Sequence, residues 1–224
     1  MGFSGVANVD FADQQKGGSF VYHHASDGGA NRFWRNVITA EDWRFIDATT
    51  AAGFDVGGRA HSLAASWEDI DQDGDQDLYV ANDYGPNALY QNNNGSFTEI
   101  AASLGIRDQA SGMSVSWGNA NRDRRSDLYV GNMFSSAGSR LTKQPGFLQS
   151  TSDEVRKLYP RFSRGNSLFL SGSDASYQDV SASMRVTMGR WAWSSLFVDL
   201  DNDGWDDLAV ANGYITAGDD TGDL

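Results

Sequence analysis

Asp69-Ile70-Asp71-Gln72-Asp73-Gly74-Asp75-Gln76-Asp77-Leu78-Tyr79-Val80-Ala81-Asn82 decides the fold of this chain. Its first nine residues have the form D-x-D-x-D-G-x-x-D, and the rest is a short run rich in apolar and β-branched residues. Carboxylates this dense repel one another unless a cation sits between them. Alternate side chains of a tight loop converge on one point, and the glycine permits the sharp turn. Hard oxygen donors in this number suit Ca²⁺ better than Zn²⁺ or Mg²⁺. The same form returns at Asp199-Leu200-Asp201-Asn202-Asp203-Gly204-Trp205-Asp206-Asp207, followed by Leu208-Ala209-Val210. The EF-hand shares the first half of the pattern but requires a bidentate Glu at position 12. Val80 and Val210 stand there instead. The bland alternative is an acidic surface turn, and two matching copies speak against it.

Working outward, the loop belongs to a repeat. Ser66-Trp67-Glu68-Asp69 through Asp77-Leu78-Tyr79-Val80 recurs 50 residues later, at Ser116-Trp117-Gly118-Asn119 through Asp127-Leu128-Tyr129-Val130, and again 80 residues beyond that at Phe197 to Val210. A second motif, Phe45-Ile46-Asp47-Ala48-Thr49, matches Phe97-Thr98-Glu99-Ile100-Ala101 and Tyr177-Gln178-Asp179-Val180-Ser181. A third precedes it each time: Asn31-Arg32-Phe33-Trp34, Asn87-Ala88-Leu89-Tyr90 and Asn166-Ser167-Leu168-Phe169. Each unit reads as four short strands, in the best copy Leu63–Trp67, Leu78–Asn82, Ala88–Gln91 and Phe97–Ala101, with Asn94-Gly95 as a hairpin turn. That turn is also a formal glycosylation sequon with Ser96. Four strands every ~50 residues is the pattern of propeller blades. The expected class is all-β, a partial β-propeller over 1–224. Its units are 9–62 (decayed), 63–112, 113–190 with an insertion at 133–165, and 191–224 (incomplete). Within the decayed unit Asp10 aligns with Asp69, and Ser19-Phe20-Val21 with Leu78-Tyr79-Val80.

The candidate metal ligands are Asp69, Asp71, Asp73, Asp75 and Asp77 in one loop, and Asp199, Asp201, Asp203, Trp205 and Asp207 in the other. Two Ca²⁺ sites are expected. The middle loop has Asn119, Asn121, Asp123 and Asp127, with Arg124 in place of the glycine, so it reads as a weak or lost site. An arginine side chain is expected to take over the cation's structural role there.

The residues 67–106, and the blocks Gly131–Gly138 and Gly189–Gly213, resemble the integrin-α-like FG-GAP/VCBS repeats, in particular the ASPIC/UnbV and cartilage-acidic-protein group. The resemblance implies a propeller of about seven blades, calcium in the loop between the first two strands of a blade, and an exported protein. Seven blades of ~50 residues need ~350, so the 224 residues read as part of a longer architecture. The remaining blades or a partner chain would complete it.

The formal net charge of −13 argues against nucleic-acid binding, because phosphates would be repelled. The chain has no cysteine, which excludes disulfides. No apolar run approaches the ~20 residues of a membrane span, and no signal peptide is visible. The insertion carries Arg140, Lys143, Arg156, Lys157, Arg161 and Arg164 against only Asp153 and Glu154. It reads either as a partner-binding lid or as a basic arm lying on the chain's own acidic surface. Thr151-Ser152-Asp153-Glu154 is a capping-box start for a short helix that is expected to end near Pro160. His23, His24 and His61 are the only histidines, and no nucleophile motif accompanies them. Trp67, Trp117, Trp191 and Trp193 read as packing between blades.

The function expected is therefore a non-enzymatic, calcium-binding scaffold, extracellular, periplasmic or on the cell surface, with a protein or glycan ligand. The alternatives are an accessory subunit of a large surface complex, or the non-catalytic part of a propeller-type glycan-active enzyme.

Overall fold

The computed structural model describes Ala25 and residues 27–55, 59–174 and 176–213. The decayed-unit alignment at Asp10 and Ser19–Val21, and His23 and His24, lie outside the described residues.

A hairpin of β1 (Trp34–Ile38) and β2 (Trp43–Asp47) comes first, followed by a one-turn helix α1 (Thr49–Ala52). Next are β3 (His61–Glu68), β4 (Asp77–Asp83), β5 (Gly85–Pro86), β6 (Ala88–Asn93) and β7 (Ser96–Glu99). Then come β8 (Gln109–Ala110), β9 (Gly112–Gly118) and β10 (Asp127–Asn132), and three short helices, α2 (Ser136–Leu141), α3 (Asp153–Arg156) and α4 (Tyr159–Arg164). The remaining strands are β11 (Ser167–Ser171), β12 (Tyr177–Asp179), β13 (Ala192–Val198) and β14 (Asp207–Asn212). The fold is all-β, in small antiparallel sheets.

Two sheets are complete, ordered β3-β4-β6-β7 and β9-β10-β11-β12. Among the described residues β1-β2, β13-β14 and β5-β8 are two-stranded. The register repeats from sheet to sheet. Trp67 faces Leu78, Trp117 faces Leu128 and Phe197 faces Leu208 in the first pairing. Leu78 faces Tyr90 and Leu128 faces Phe169 in the second. A bulge falls at the same place in all three first strands, at Leu63, Met113 and Trp193. An extra residue there strengthens local twist and turns the strand end inward. The turn between β6 and β7 is Asn94-Gly95, with φ of 54° and 87°, the left-handed pair that a two-residue hairpin demands.

The core lies between neighbouring sheets. Tyr79, Ala81 and Leu89 of the first complete sheet meet Leu128, Val130, Phe169 and Tyr177 of the second, with Trp117 packed against them. Trp117 sits edge-on to Tyr79 at 6.0 Å, the role expected of it. A second cluster joins Phe54 and Ala52 to Val80, Tyr90 and Phe97, with Phe33 of the preceding unit against it. Trp191 and Trp193 pack on each other, rings 6.3 Å apart.

The passage from second to third strand is held by a repeated asparagine. Asn87 Oδ1 accepts from the Asn82 N–H, and Asn166 Oδ1 from the Asn132 N–H, both at 2.8 Å. In the first sheet four residues make this passage. In the second, the 133–165 insertion makes it and returns to the same hydrogen bond.

The insertion holds more helix than its sequence suggests. Ser152, one residue after the Thr151 that opens the expected capping box, caps α3 by accepting from the Val155 N–H. Pro160 does not end that helix. It lies in the first turn of α4, where its missing N–H costs nothing. α2 has no charged or strongly amphipathic signature, and it forms because Ser135 caps it and α4 packs on it.

Candidate metal loops

Each of the three loops joins the first strand of a sheet to its second. In the first, Asp69, Asp71 and Asp77 each bring one carboxylate oxygen to a common point, within 4.8 Å of one another. In the third, Asp199, Asp201 and Asp203 do the same. Backbone hydrogen bonds shape both loops alike. Asp69 accepts from the N–H groups of Asp73 and Gly74, and Asp199 from those of Asp203 and Gly204. Gln72 and Gly74 have φ of 59° and 95°, and Asn202 and Gly204 of 62° and 82°. This left-handed alternation bends the loop back so that its acids point inward.

Not every acid named from the sequence joins these groups. Asp75 turns its carboxylate to the Asn94 N–H at 2.7 Å. Asp73 accepts from Asp75, and the Trp205 N–H donates to Asp203. Gln91 donates to Asp71 at 2.7 Å and fixes that carboxylate's direction.

The ninth aspartate has a role that spacing alone did not reveal. Asp77 accepts from the Ile70 N–H across its own loop and from the Asn92 N–H of β6. Asp127 accepts likewise from Ala120 and Ser171. Both are buried. The residue therefore ties the loop to the third strand whether or not its neighbours are acidic. Burial pushes both carboxyls up from the ordinary range, while the backbone donors pull the other way. At Asp77 the neighbouring Asp71 and Asp73 add a further push upward, which a bound cation would reverse.

The middle loop keeps the shape without the charge. Asn119, Asn121 and Asp123 accept from Arg124, Asp123 and Arg125 backbone N–H groups. Arg122 and Arg124 take φ of 60° and 68°, which costs about 1–2 kcal/mol for each non-glycine residue. The loop is also braced by its neighbours. Gln72 donates to the Arg124 carbonyl, Ser126 to Glu68, and the Asn119 N–H to Asp206. The Arg122 guanidinium lies 4.9 Å over the Trp205 ring. Arg122, which the sequence did not single out, is thus the cation that bridges to the third loop.

The insertion's cations divide into two sets. Arg161 reaches the fully buried Asp108 through Nε at 2.7 Å, and Asp108 also accepts from Ser167 and Asn132. Arg164 pairs with Asp179 at 2.9 Å, and Arg156 pairs with Asp153. Arg140, Lys143 and Lys157 remain exposed. His61 bonds Asp27 at 3.0 Å.

Residues 69–130 match the family model described as FG-GAP-like repeat, a span that takes in the first loop, strands β4, β6 and β7 of the first sheet, and β9, the middle loop and the start of β10 in the second. No curated protein matches the chain. Among the described residues no helix is long and apolar enough to cross a membrane. The class that this fold defines is an all-β chain of small antiparallel sheets, of which residues 69–130 are similar to an FG-GAP-like repeat.

Proposed function

We propose that this chain is a calcium-stiffened binding module that works outside the cytoplasm, with a protein or glycan ligand. The observation that carries the calcium reading is the pair of carboxylate triads, Asp69, Asp71 and Asp77 in one loop and Asp199, Asp201 and Asp203 in the other, set 130 residues apart on the same turn of the same repeat. Three carboxylates within 4.8 Å repel strongly. All their donors are hard oxygens, the chemistry of Ca²⁺. When bound, the ion supplies positive charge that locks a loop, and the chain's own residues do the rest. Asp69 and Asp199 hold the turn, Gln91 aims Asp71, and Asp77 pins the loop to β6. Asp-built loops of this kind fit structural sites with Kd of about 10⁻⁴–10⁻³ M, filled by exterior calcium and empty in cytosol. Arg140, Lys143 and Lys157 on the insertion are the cations open to a partner, whereas Arg161 and Arg164 anchor the insertion to the chain's own acids. The FG-GAP-like match supports a propeller-type binding module, and the ASPIC/UnbV resemblance belongs to the same reading.

Calcium at about ten times Kd should raise stability by about 1.4 kcal/mol per site. Calorimetry should count two sites, and Asp71→Ala and Asp201→Ala should each remove one. An unchanged melting temperature on adding EGTA would overturn the calcium reading. Submicromolar affinity would count against an exterior compartment.

A further inference from the structure

The three loops are chained by contacts that repeat from one junction to the next. The fourth residue of each loop holds a left-handed φ, 59° at Gln72, 60° at Arg122 and 62° at Asn202. In the first two loops its side chain crosses to the sixth and seventh residues of the following loop. Gln72 Nε2 donates to the Arg124 carbonyl at 3.1 Å. Arg122 makes the corresponding reach, with its guanidinium beside Gly204 and 4.9 Å over the Trp205 ring. A second contact recurs as well, between the start of one loop and the eighth residue of the next. Ser126 donates to Glu68 at 2.5 Å, and Asp206 accepts from the Asn119 N–H at 2.9 Å. None of these contacts uses an acid of either triad. We infer that the middle loop, which has no triad of its own, couples the two calcium loops, so that calcium at either one raises the affinity of the other. This deepens the calcium reading above and rests on it.

The chain of contacts runs through residues next to the ligands. Gln72 follows directly on Asp71, so an ion that draws the first triad together fixes the turn from which Gln72 reaches out. Gln72 then holds the Arg124 carbonyl, and with it the middle loop. The middle loop sets Arg122 against Gly204 and Trp205, which follow directly on Asp203 of the other triad. Order brought about by the first ion is order that the second need not impose, and this makes the second bind more tightly. By linkage the effect is the same in both directions.

The middle loop suits this role because it keeps its shape without a triad and with left-handed arginines at Arg122 and Arg124. Its neighbours brace it on both sides, which gives a coupling element that both calcium loops bias. The charges of the ions do not oppose it. Stacked sheets lie about 10 Å apart, so ions two sheets apart are separated by about 20 Å. That is well over the Debye length of about 8 Å at physiological salt, and their repulsion is screened.

The test is calcium calorimetry on the full chain. Asp201→Ala leaves only the first site and Asp71→Ala only the third, and each gives one binding constant. In the unaltered chain the product of the two constants should exceed the product of those single-site values by at least about fivefold. Gln72→Gly and Arg122→Asn each remove one contact and leave a residue that accepts the left-handed φ. Either should bring the product down to the single-site value measured in the same background. Both together should do no more, because they break one chain at two points. A readout apart from binding is the indole N–H resonance of Trp205, assigned by its loss in Trp205→Phe. In the Asp201→Ala protein, calcium at the first loop alone should shift that resonance, and adding Gln72→Gly should abolish the shift. A product equal to that of the single sites, a Trp205 resonance unmoved by calcium at the first loop, or coupling that survives both substitutions would each overturn the coupling and leave the calcium reading standing. A chain that binds no calcium would overturn both.

Discussion

Asp108→Ala is expected to destabilise the chain by about 3–5 kcal/mol, measured by denaturant unfolding. The carboxylate has no solvent contact, and Arg161 beside it is 18% exposed. Removing the acid strands a buried guanidinium, whose other carboxylate, Asp179, lies 3.7 Å away. It also takes the acceptor from Ser167 and Asn132. Asp108 belongs to the segment between the two complete sheets, and Arg161 to the end of the insertion. The loss should therefore free α4 as well as loosen the junction, visible as faster amide exchange over Tyr159–Arg164. Asp108→Asn, which keeps the acceptor and drops the charge, should lose less. If Asp108→Ala costs under about 1 kcal/mol, the insertion is not anchored through this pair.

The second large effect falls on the ninth aspartate. Asp127→Ala should cost about 2–6 kcal/mol, because it orphans two backbone N–H groups, those of Ala120 and Ser171, at about 1–3 kcal/mol each. That loss should be the same in EGTA and in calcium, since the middle loop brings no carboxylate triad together among the described residues. Asp77→Ala should lose a similar amount in EGTA and more in calcium, because Asp77 also stands in the first triad. Denaturant midpoints for both variants in the two conditions give the comparison. A cost at Asp127 that appears only with calcium would mean that the middle loop holds metal after all.

Much of this was legible in the residues. The strand boundaries of the best unit fall within two residues of their expected places, because short β-branched runs bounded by Asn, Asp and Gly have one consistent period. The Asn94-Gly95 turn was legible for the same reason, since few residue pairs tolerate two left-handed φ values. The loop pattern singled out the acids, and six of them do converge. Asp73, Asp75, Trp205 and Asp207 lie outside the triads, Asp75 with its carboxylate turned to the Asn94 N–H and Asp207 with its own turned to the Leu200 N–H. Sequence spacing cannot distinguish an acid that faces a cation from one that faces an N–H.

By itself, the sequence determined the all-β repeat, its 50-residue step, the short apolar runs that bury Tyr79 and Tyr129, and the place of the acidic turns. These are local properties, set by side-chain period and by which residues accept positive φ. Only the tertiary structure decided the rest. It paired Asp108 with Arg161 across 53 residues, set Arg122 over Trp205 across 83, and gave the ninth aspartate its second strand. It also decided that Arg161 and Arg164 serve the chain's own surface. Such partners meet because stacked sheets bring distant turns side by side, and no local pattern encodes which side chains will then be within reach.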